Sequence, residues 1–328
     1  MPMSRVHIAV GVIFNSTRDR VLLARRPAHV SHGGLWEFPG GKLEAGESVQ
    51  AALRRELDEE LNLTVRSATP LFCIDHDYPH IRVRLDVWAV REWSGAAHGR
   101  EGQETEWVPL AELWRREFPR ANRAIVRWLR LPPVYVITPD LHACDHAFLA
   151  RLDELLAAGV KLLQFRSTRL SIGGRRNALR EIAAICSTHG ADLLVNGTAD
   201  EVLEVEARGL HLNSARLMEM RERPLDGRYL IAASVHNAFE MKQAAQLDVD
   251  FAVLGPVAAT ASHTGMAPLG WDAFGALVRA AGRPVYAIGG MRPQDLGRAR
   301  QEGARGVAMI RGIWEAEDPA AAIRACLD

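Results

Sequence analysis

Sulfur is scarce in this chain. Four cysteines, Cys73, Cys144, Cys186 and Cys326, are spread over 328 residues, and no two have CxxC spacing. That excludes a disulfide scaffold and a zinc knuckle, and predicts buried free thiols in a reducing compartment. An excess of charge of either sign is also missing. Forty Lys and Arg balance 40 Asp and Glu, so no global field recruits nucleic acid or an acidic membrane. Long apolar runs are absent as well: none approaches the roughly 18 residues of a spanning helix, and no signal-peptide pattern precedes the first strand-like run. The expectation is a cytoplasmic protein with no membrane partner and no direct nucleic-acid partner. What is present, 48% hydrophobic residues over 328 positions, suffices for two cores rather than one.

Chemistry concentrates between residues 41 and 63. Gly41 is followed after five residues by Glu47, and after seven more by Arg55-Glu56-Leu57-Asp58-Glu59-Glu60-Leu61-Asn62-Leu63. Ser48 is a fitting N-cap, and the spacing predicts a helix from there. On it Glu56, Glu59 and Glu60 stand at i, i+3 and i+4 on one face, with Leu53, Leu57 and Leu61 forming an apolar row beside them. Like charges at those spacings destabilise a bare helix by about 0.2–0.5 kcal/mol per pair. Either water solvates the face, or a hard divalent cation with oxygen ligands offsets the repulsion.

This pattern resembles the box of the Nudix hydrolases: Gly, five residues, Glu, seven residues, Arg-Glu-apolar-any-Glu-Glu-any-Gly-apolar. Every constrained position matches except one, where Asn62 replaces Gly. Asn is the next-best residue at a left-handed helix end. The resemblance implies an α/β/α sandwich with a mixed sheet. It also implies Mg2+, with Mn2+ as a substitute, held by Gly41, Glu56, Glu59 and Glu60. Glu56 would act as the residue that activates water, and Arg55 would orient Glu56 or Glu47.

The flanking sequence is mixed α/β. Residues 7–14 and 21–24 alternate as a predicted hairpin about a polar turn at 15–20. Segments 69–76, 81–92 and 106–108 read as strands, and 109–117 and 121–129 as helices. Within the Nudix family the region resembles the MutT 8-oxo-dGTP diphosphatases. Arg26 and Phe38 have the spacing of nucleotide-contacting residues, and Asn122 has that of the residue reading the oxidised purine edge. Glu106 has that of a glutamate near the metals, as a further metal ligand or second candidate base. Blander readings stand beside these: Arg26 as a surface charge, Phe38 as core, Asn122 as a helix N-cap, Glu106 as solvated. The implied substrate is a nucleoside triphosphate.

Leu131-Pro132-Pro133 cannot continue a helix and marks a boundary, giving expected domains at 1–130 and 134–328 joined by a linker at 131–133. Beyond it eight short apolar runs, at 134–138, 161–165, 192–196, 209–212, 229–235, 251–254, 284–288 and 306–310, alternate with helical stretches. This predicts a parallel (β/α)8 TIM barrel whose site lies at the strands' C-terminal ends. There stand Gln164 and Arg166, Asn196, His211, Ser234 and His236, Gly289-Gly290 and Arg311-Gly312. Gly289-Gly290 and Arg311-Gly312 end the last two strands, where such barrels bind phosphate, though a tight turn also explains the glycines.

These strand ends resemble thiamine phosphate synthase and its relative TenI. The departures are informative. Where the synthase pattern has Lys after Gln-x-Arg stands Thr168. Where it has Asn-Asp stands Asn196-Gly197. The metal-binding Asp expected after the His211 strand is missing from Asn213-Ser214-Ala215-Arg216. Thr-Lys is replaced by Ser262-His263. A barrel so altered is expected to lack synthase activity. Like TenI, it would take a thiazole phosphate-type ligand on Gln164, Arg166, Gly289 and Gly290, with His236 as proton shuttle or as a structural histidine. The whole-chain expectation is an 8-oxo-dGTP diphosphatase of nucleotide-pool sanitation with an appended barrel. The alternative is a thiamine-pathway protein whose Nudix half hydrolyses a thiamine-related diphosphate and whose barrel is a tautomerase or a sensor. An oligomer is compatible with either.

Overall fold

The computed structural model describes residues 5–28, 30, 32–78, 80–260 and 267–327. The chain divides into two compact units, Met1–Arg130 and Leu131–Asp328.

In the first unit, β1 (Arg5–Ile13) is the central strand of a four-stranded sheet. One edge of β1 pairs antiparallel with β4 (Gly40–Lys42), and the other pairs parallel with β6 (Ile81–Ser94). The long hairpin of β5 (Thr64–Tyr78) with β6 completes that sheet. A second, antiparallel sheet is built from β3 (Trp36–Glu37), β2 (Arg20–Arg25) and β7 (Thr105–Pro109). The predicted β1–β2 hairpin is therefore corrected. The polar turn closes a single bridge, Phe14 to Val21. A strand has two hydrogen-bonding edges, and those of β1 are taken by β4 and β6. Gly40 makes the first of these pairings possible: it lies at φ +144°, and a Cβ there would overlap the Ala9 carbonyl.

Helix α1 (Val49–Leu61) begins at Ser48, whose hydroxyl accepts the Ala51 N–H at 3.2 Å, and ends at Asn62 in the left-handed conformation at φ +57°. The Leu53, Leu57 and Leu61 row is fully buried against Ala9, Ile13, Leu22, Val65 and Val90. The acidic face is thereby fixed relative to β4. Segment 109–117 forms a 3-10 turn at Leu110–Arg115 instead of an α-helix. After it comes α2 (Arg120–Arg130), so Asn122 lies in the helix's first turn and is not its N-cap.

The second unit is a closed parallel barrel. Its strands are β8 (Val134–Ile137), β9 (Leu162–Phe165), β10 (Asp192–Val195), β11 (Gly209–Leu212), β12 (Leu230–Val235), β13 (Phe251–Leu254), β14 (Val285–Ala287) and β15 (Gly306–Met309), and β15 pairs back to β8. Each strand is nearly all buried because helices cover its outer side and the barrel interior its inner side. Tyr135, Phe251 and Tyr286 fill the interior with edge-on and tilted ring contacts at 5.2–5.8 Å.

No helix among the described residues is long and apolar enough to cross a membrane. The cysteines are free, but only Cys186 and Cys326 are buried. Cys73 and Cys144 are half-exposed, which corrects the expectation of four buried thiols.

Candidate functional sites

The box geometry is organised by Arg55. Its Nε donates to Glu47 at 3.1 Å, one terminal nitrogen donates to Glu47 at 2.9 Å and to the Lys42 carbonyl at 3.1 Å, and the other reaches Glu56 at 2.9 Å and Glu59 at 3.2 Å. One planar fork thus ties helix α1 to β4 and to the turn before the helix. Glu47 is held below the usual carboxylate range by Arg55 and by the Glu44 N–H. Arg55 is pushed further up, first by its bond to Glu47.

Glu56 packs directly on Gly41, where a Cβ would overlap the carboxylate. A side chain there would push the Glu56 carboxylate away, which is a physical reason for glycine at that box position. Glu60 is pushed up to about 8, first by burial and then by the charges of Glu56, Glu37 and Glu101. The Gly40 N–H, which bonds to it, opposes that rise. Among the described residues no three His, Cys, Asp or Glu side chains converge into a ready cage. The frustrated acidic charge beside a glycine cradle nevertheless fits a divalent cation, which favours hard oxygen donors.

Around this core, Phe38 and Asn122 are brought together: the Asn122 amide oxygen accepts the Phe38 N–H at 3.3 Å. The Phe38 ring is 3% exposed and stacks on Phe118 with centroids 5.7 Å apart, so the ring packs in the core while its backbone N–H holds Asn122. Arg26 forms an ion pair with Glu37. Burial raises Glu37 and Arg26 opposes that rise. Glu106, on β7 opposite Leu23, pairs with Arg116, whose guanidinium lies over Trp36 at 5.4 Å. The Arg116 partner is not foreseeable from spacing alone.

In the barrel, a cavity of about 1330 Å3 opens at the strands' C-terminal ends. Gln164, Arg166, Asn196, Ser234, His236, Gly289 and Gly290 all line it. Gly289 and Gly290 both have positive φ, 95° and 71°. Beneath it runs a buried polar chain that sequence reasoning saw only in part. Asn196 Nδ2 donates to Gln164 Oε1 at 3.4 Å, and Gln164 Nε2 donates to the Tyr135 hydroxyl at 3.1 Å. That hydroxyl meets His211 Nδ1 at 3.1 Å, and His211 Nε2 meets Ser234 Oγ at 2.8 Å. Since Gln164 donates to Tyr135, the tyrosine proton goes to His211 Nδ1, and Nε2–H goes to Ser234. The Ser234 proton is then left to point elsewhere. Burial, with Arg166 second, pulls His211 down to about 3, so it is neutral when folded and protonates on unfolding below about pH 6.5. The unfolded state binds the extra proton between those values, so stability falls as pH drops through that window, by up to about 1.4 kcal/mol per pH unit. A His211→Gln protein should show a shallower loss of barrel stability between pH 6.5 and 4 in urea melts, and an unchanged slope would refute this.

Where the synthase pattern puts a metal-binding Asp, a Cβ on Gly197 would overlap the Glu201 carboxylate and crowd Arg175, so a side chain there would have to displace that pair. Glu201 is spent on Arg175 Nε at 2.6 Å and on the Thr198 N–H at 2.8 Å. Arg175 also donates to the Ser167 and Asn196 carbonyls. Thr168 is turned to Asp140, donating its N–H at 2.7 Å and its hydroxyl at 2.6 Å. Ser262-His263 lie outside the described residues. His236 Nδ1 is 2.9 Å from Glu240, which also accepts the His236 N–H at 2.8 Å.

Comparison with known proteins agrees with this division. Residues 134–313 match the family model for thiamine monophosphate synthase, and residues 9–128 match that for the NUDIX domain. The 8-oxo-dGTP diphosphatase of Escherichia coli K12 is 35% identical over 128 residues, 39% of this chain and 98% of that protein. A thiamine-phosphate synthase of Thermobifida fusca is 38% identical over 178 residues, 52% of this chain and 80% of that protein. Another, from Synechococcus, is 36% identical over 179 residues, 54% of this chain, and the chain spans about half of that relative's length. The chain belongs to the Nudix hydrolases through its N-terminal unit and to the thiamine monophosphate synthase family through its barrel.

Proposed function

We propose that residues 1–130 form a Mg2+-dependent nucleoside triphosphate pyrophosphohydrolase that converts 8-oxo-dGTP and water to 8-oxo-dGMP and pyrophosphate. Residues 131–133 would be its linker to a ligand-binding barrel, 134–328. The observation that carries the reading is the joining of Arg55, Glu47 and Glu56 into one hydrogen-bonded unit packed on Gly41, with Asn122 held by the Phe38 backbone in the same unit of the fold. Mg2+, or Mn2+ in its place, would be held by the Gly41 carbonyl, Glu56, Glu59 and Glu60, with Glu106 as a further ligand. When bound it neutralises phosphate charge and acidifies water. Glu56 orients and deprotonates the attacking water, with Glu106 as the second candidate. Arg55 fixes the Glu56 carboxylate, Arg26 faces the nucleotide, and Asn122 reads the purine edge with its amide. Water attacks the β-phosphorus, and the bridging oxygen leaves with the nucleoside monophosphate. Hydrolysis in 18O-water should therefore place label in pyrophosphate. Label in 8-oxo-dGMP would contradict the proposed point of attack.

For the barrel, the filled position at Gly197 supports loss of synthase activity. The His236–Glu240 pair at the cavity wall favours a second reading, a metal-free proton shuttle acting on a thiazole phosphate-type ligand held by Gln164, Arg166, Gly289 and Gly290. The full chain should form no thiamine phosphate from the synthase substrates with Mg2+. It should isomerise a thiazole phosphate carboxylate at a rate that His236→Ala lowers by about 100-fold. Binding without turnover would leave the barrel as a sensing module and remove the shuttle.

A further inference from the structure

The carboxylates that would hold a cation in the barrel are gone, and what replaces them is not empty space. Gly197 is overlaid by the Arg175–Glu201 pair, and Glu201 is saturated by Arg175 and Thr198. At the next strand end, where a second Asp is expected, the short helix Ser214–Glu219 carries Arg216. Its guanidinium donates to the Gly197 carbonyl, lies close enough to Glu201 to hold that carboxylate down, and lines the cavity with no other hydrogen bond among the described residues. Arg166 lines the same cavity, with the Asp140 carboxylate near enough to be held down by its charge. Five arginines and two glutamates line the cavity, and one of those glutamates belongs to Arg175. Excess guanidinium charge in a concave site attracts a phosphate or diphosphate anion.

We infer that this barrel binds its phosphate-bearing ligand without a divalent cation, the guanidinium of Arg216, backed by that of Arg166, standing where the synthase pattern places metal-binding carboxylates. Arg175 and Glu201 act as a positioning pair: they close the former cation pocket and hold the Asn196–Gly197 turn against which Arg216 rests. The inference rests on reading the cavity as a phosphate-ligand site.

The test is calorimetric titration of the full-length protein with inorganic pyrophosphate, and separately with inorganic phosphate, in excess EDTA and then with Mg2+. Binding in EDTA is expected, and the part of it that Arg216→Ala removes should not be strengthened by Mg2+. Arg216→Ala should weaken it by about 10-fold or more, and Arg216→Lys should recover part of the loss. Unchanged thermal melting of the variants and unchanged nucleotide hydrolysis by the N-terminal unit would show that the fold is intact. Barrel binding that appears only with Mg2+, or that Arg216→Ala leaves unaltered, would overturn the inference alone. The same Mg2+ comparison on a full-length Glu56→Gln, Glu59→Gln, Glu60→Gln protein, whose N-terminal cation site is removed, decides this even if the Arg216 variants misfold, because any Mg2+-dependent binding left there belongs to the barrel. Absence of binding under both conditions would overturn the inference and the phosphate-site reading together, while leaving the hydrolase reading untouched.

Discussion

Glu56→Gln should lower kcat for 8-oxo-dGTP by about 1,000-fold while leaving the melting temperature unchanged or slightly higher. The rate loss follows from removing the one carboxylate that both packs on the Gly41 cradle and is held by Arg55. An amide neither takes a proton from water nor carries the charge a cation needs. The stability forecast has the opposite sign to that for breaking an ordinary ion pair. Arg55 keeps its two bonds to Glu47 and one to the Lys42 carbonyl, so the fork stays in place. Meanwhile Glu60, pushed up partly by the charge of Glu56, loses a repulsive neighbour. Steady-state kinetics with a thermal melt on the same preparation checks both halves. Turnover within about threefold of the parent would remove Glu56 from the chemistry.

The second large effect concerns the base. Asn122 uses its amide oxygen to accept the Phe38 N–H, which leaves the NH2 as the donating half. Asn122→Asp preserves the acceptor for Phe38, removes both donors and adds a negative charge opposite the purine edge. The ratio of kcat/KM for 8-oxo-dGTP over dGTP should fall by about 10- to 100-fold, as expected for losing a buried hydrogen bond and leaving its partner unpaired. The effect should fall mainly on KM, because the residue touches the base and not the reacting phosphorus. Asn122→Ala should lose the same selectivity and in addition loosen the Phe38 backbone. A parent-like ratio in Asn122→Asp would place purine reading elsewhere.

Features governed by short sequence separation were legible in the chain. Ser48, Asn62 and the Leu53-Leu57-Leu61 row each follow from helix periodicity and end chemistry, and each stands where the spacing put it. The eight barrel strands were legible for a similar reason: a strand buried on both faces is a short apolar run, and helices between such runs force parallel pairing. The fate of β1 was not legible, because its partners β4 and β6 are chosen by competition for two edges and not by the nearest turn. In the sites, sequence spacing proposed Glu56 and Gly41, and their packing supplied the reason for the glycine. Phe38 was read from its spacing as a nucleotide contact ahead of core, and the burial of its ring, which depends on Phe118 far along the chain, was not legible. The Tyr135–His211 and Arg175–Glu201 pairs join residues 76 and 26 positions apart. No local pattern announces them, although the departures at Gly197 and Arg216 marked where such a rebuilt site had to be.

The central claim is that the N-terminal unit serves an oxidised purine nucleotide and not a thiamine-related diphosphate. It is tested most directly by hydrolysis with the full-length protein and Mg2+, comparing 8-oxo-dGTP, dGTP and thiamine diphosphate at equal concentration. The account predicts strong preference for 8-oxo-dGTP, with dGTP second and thiamine diphosphate scarcely touched. Preference for thiamine diphosphate would contradict it and would assign both units to one pathway.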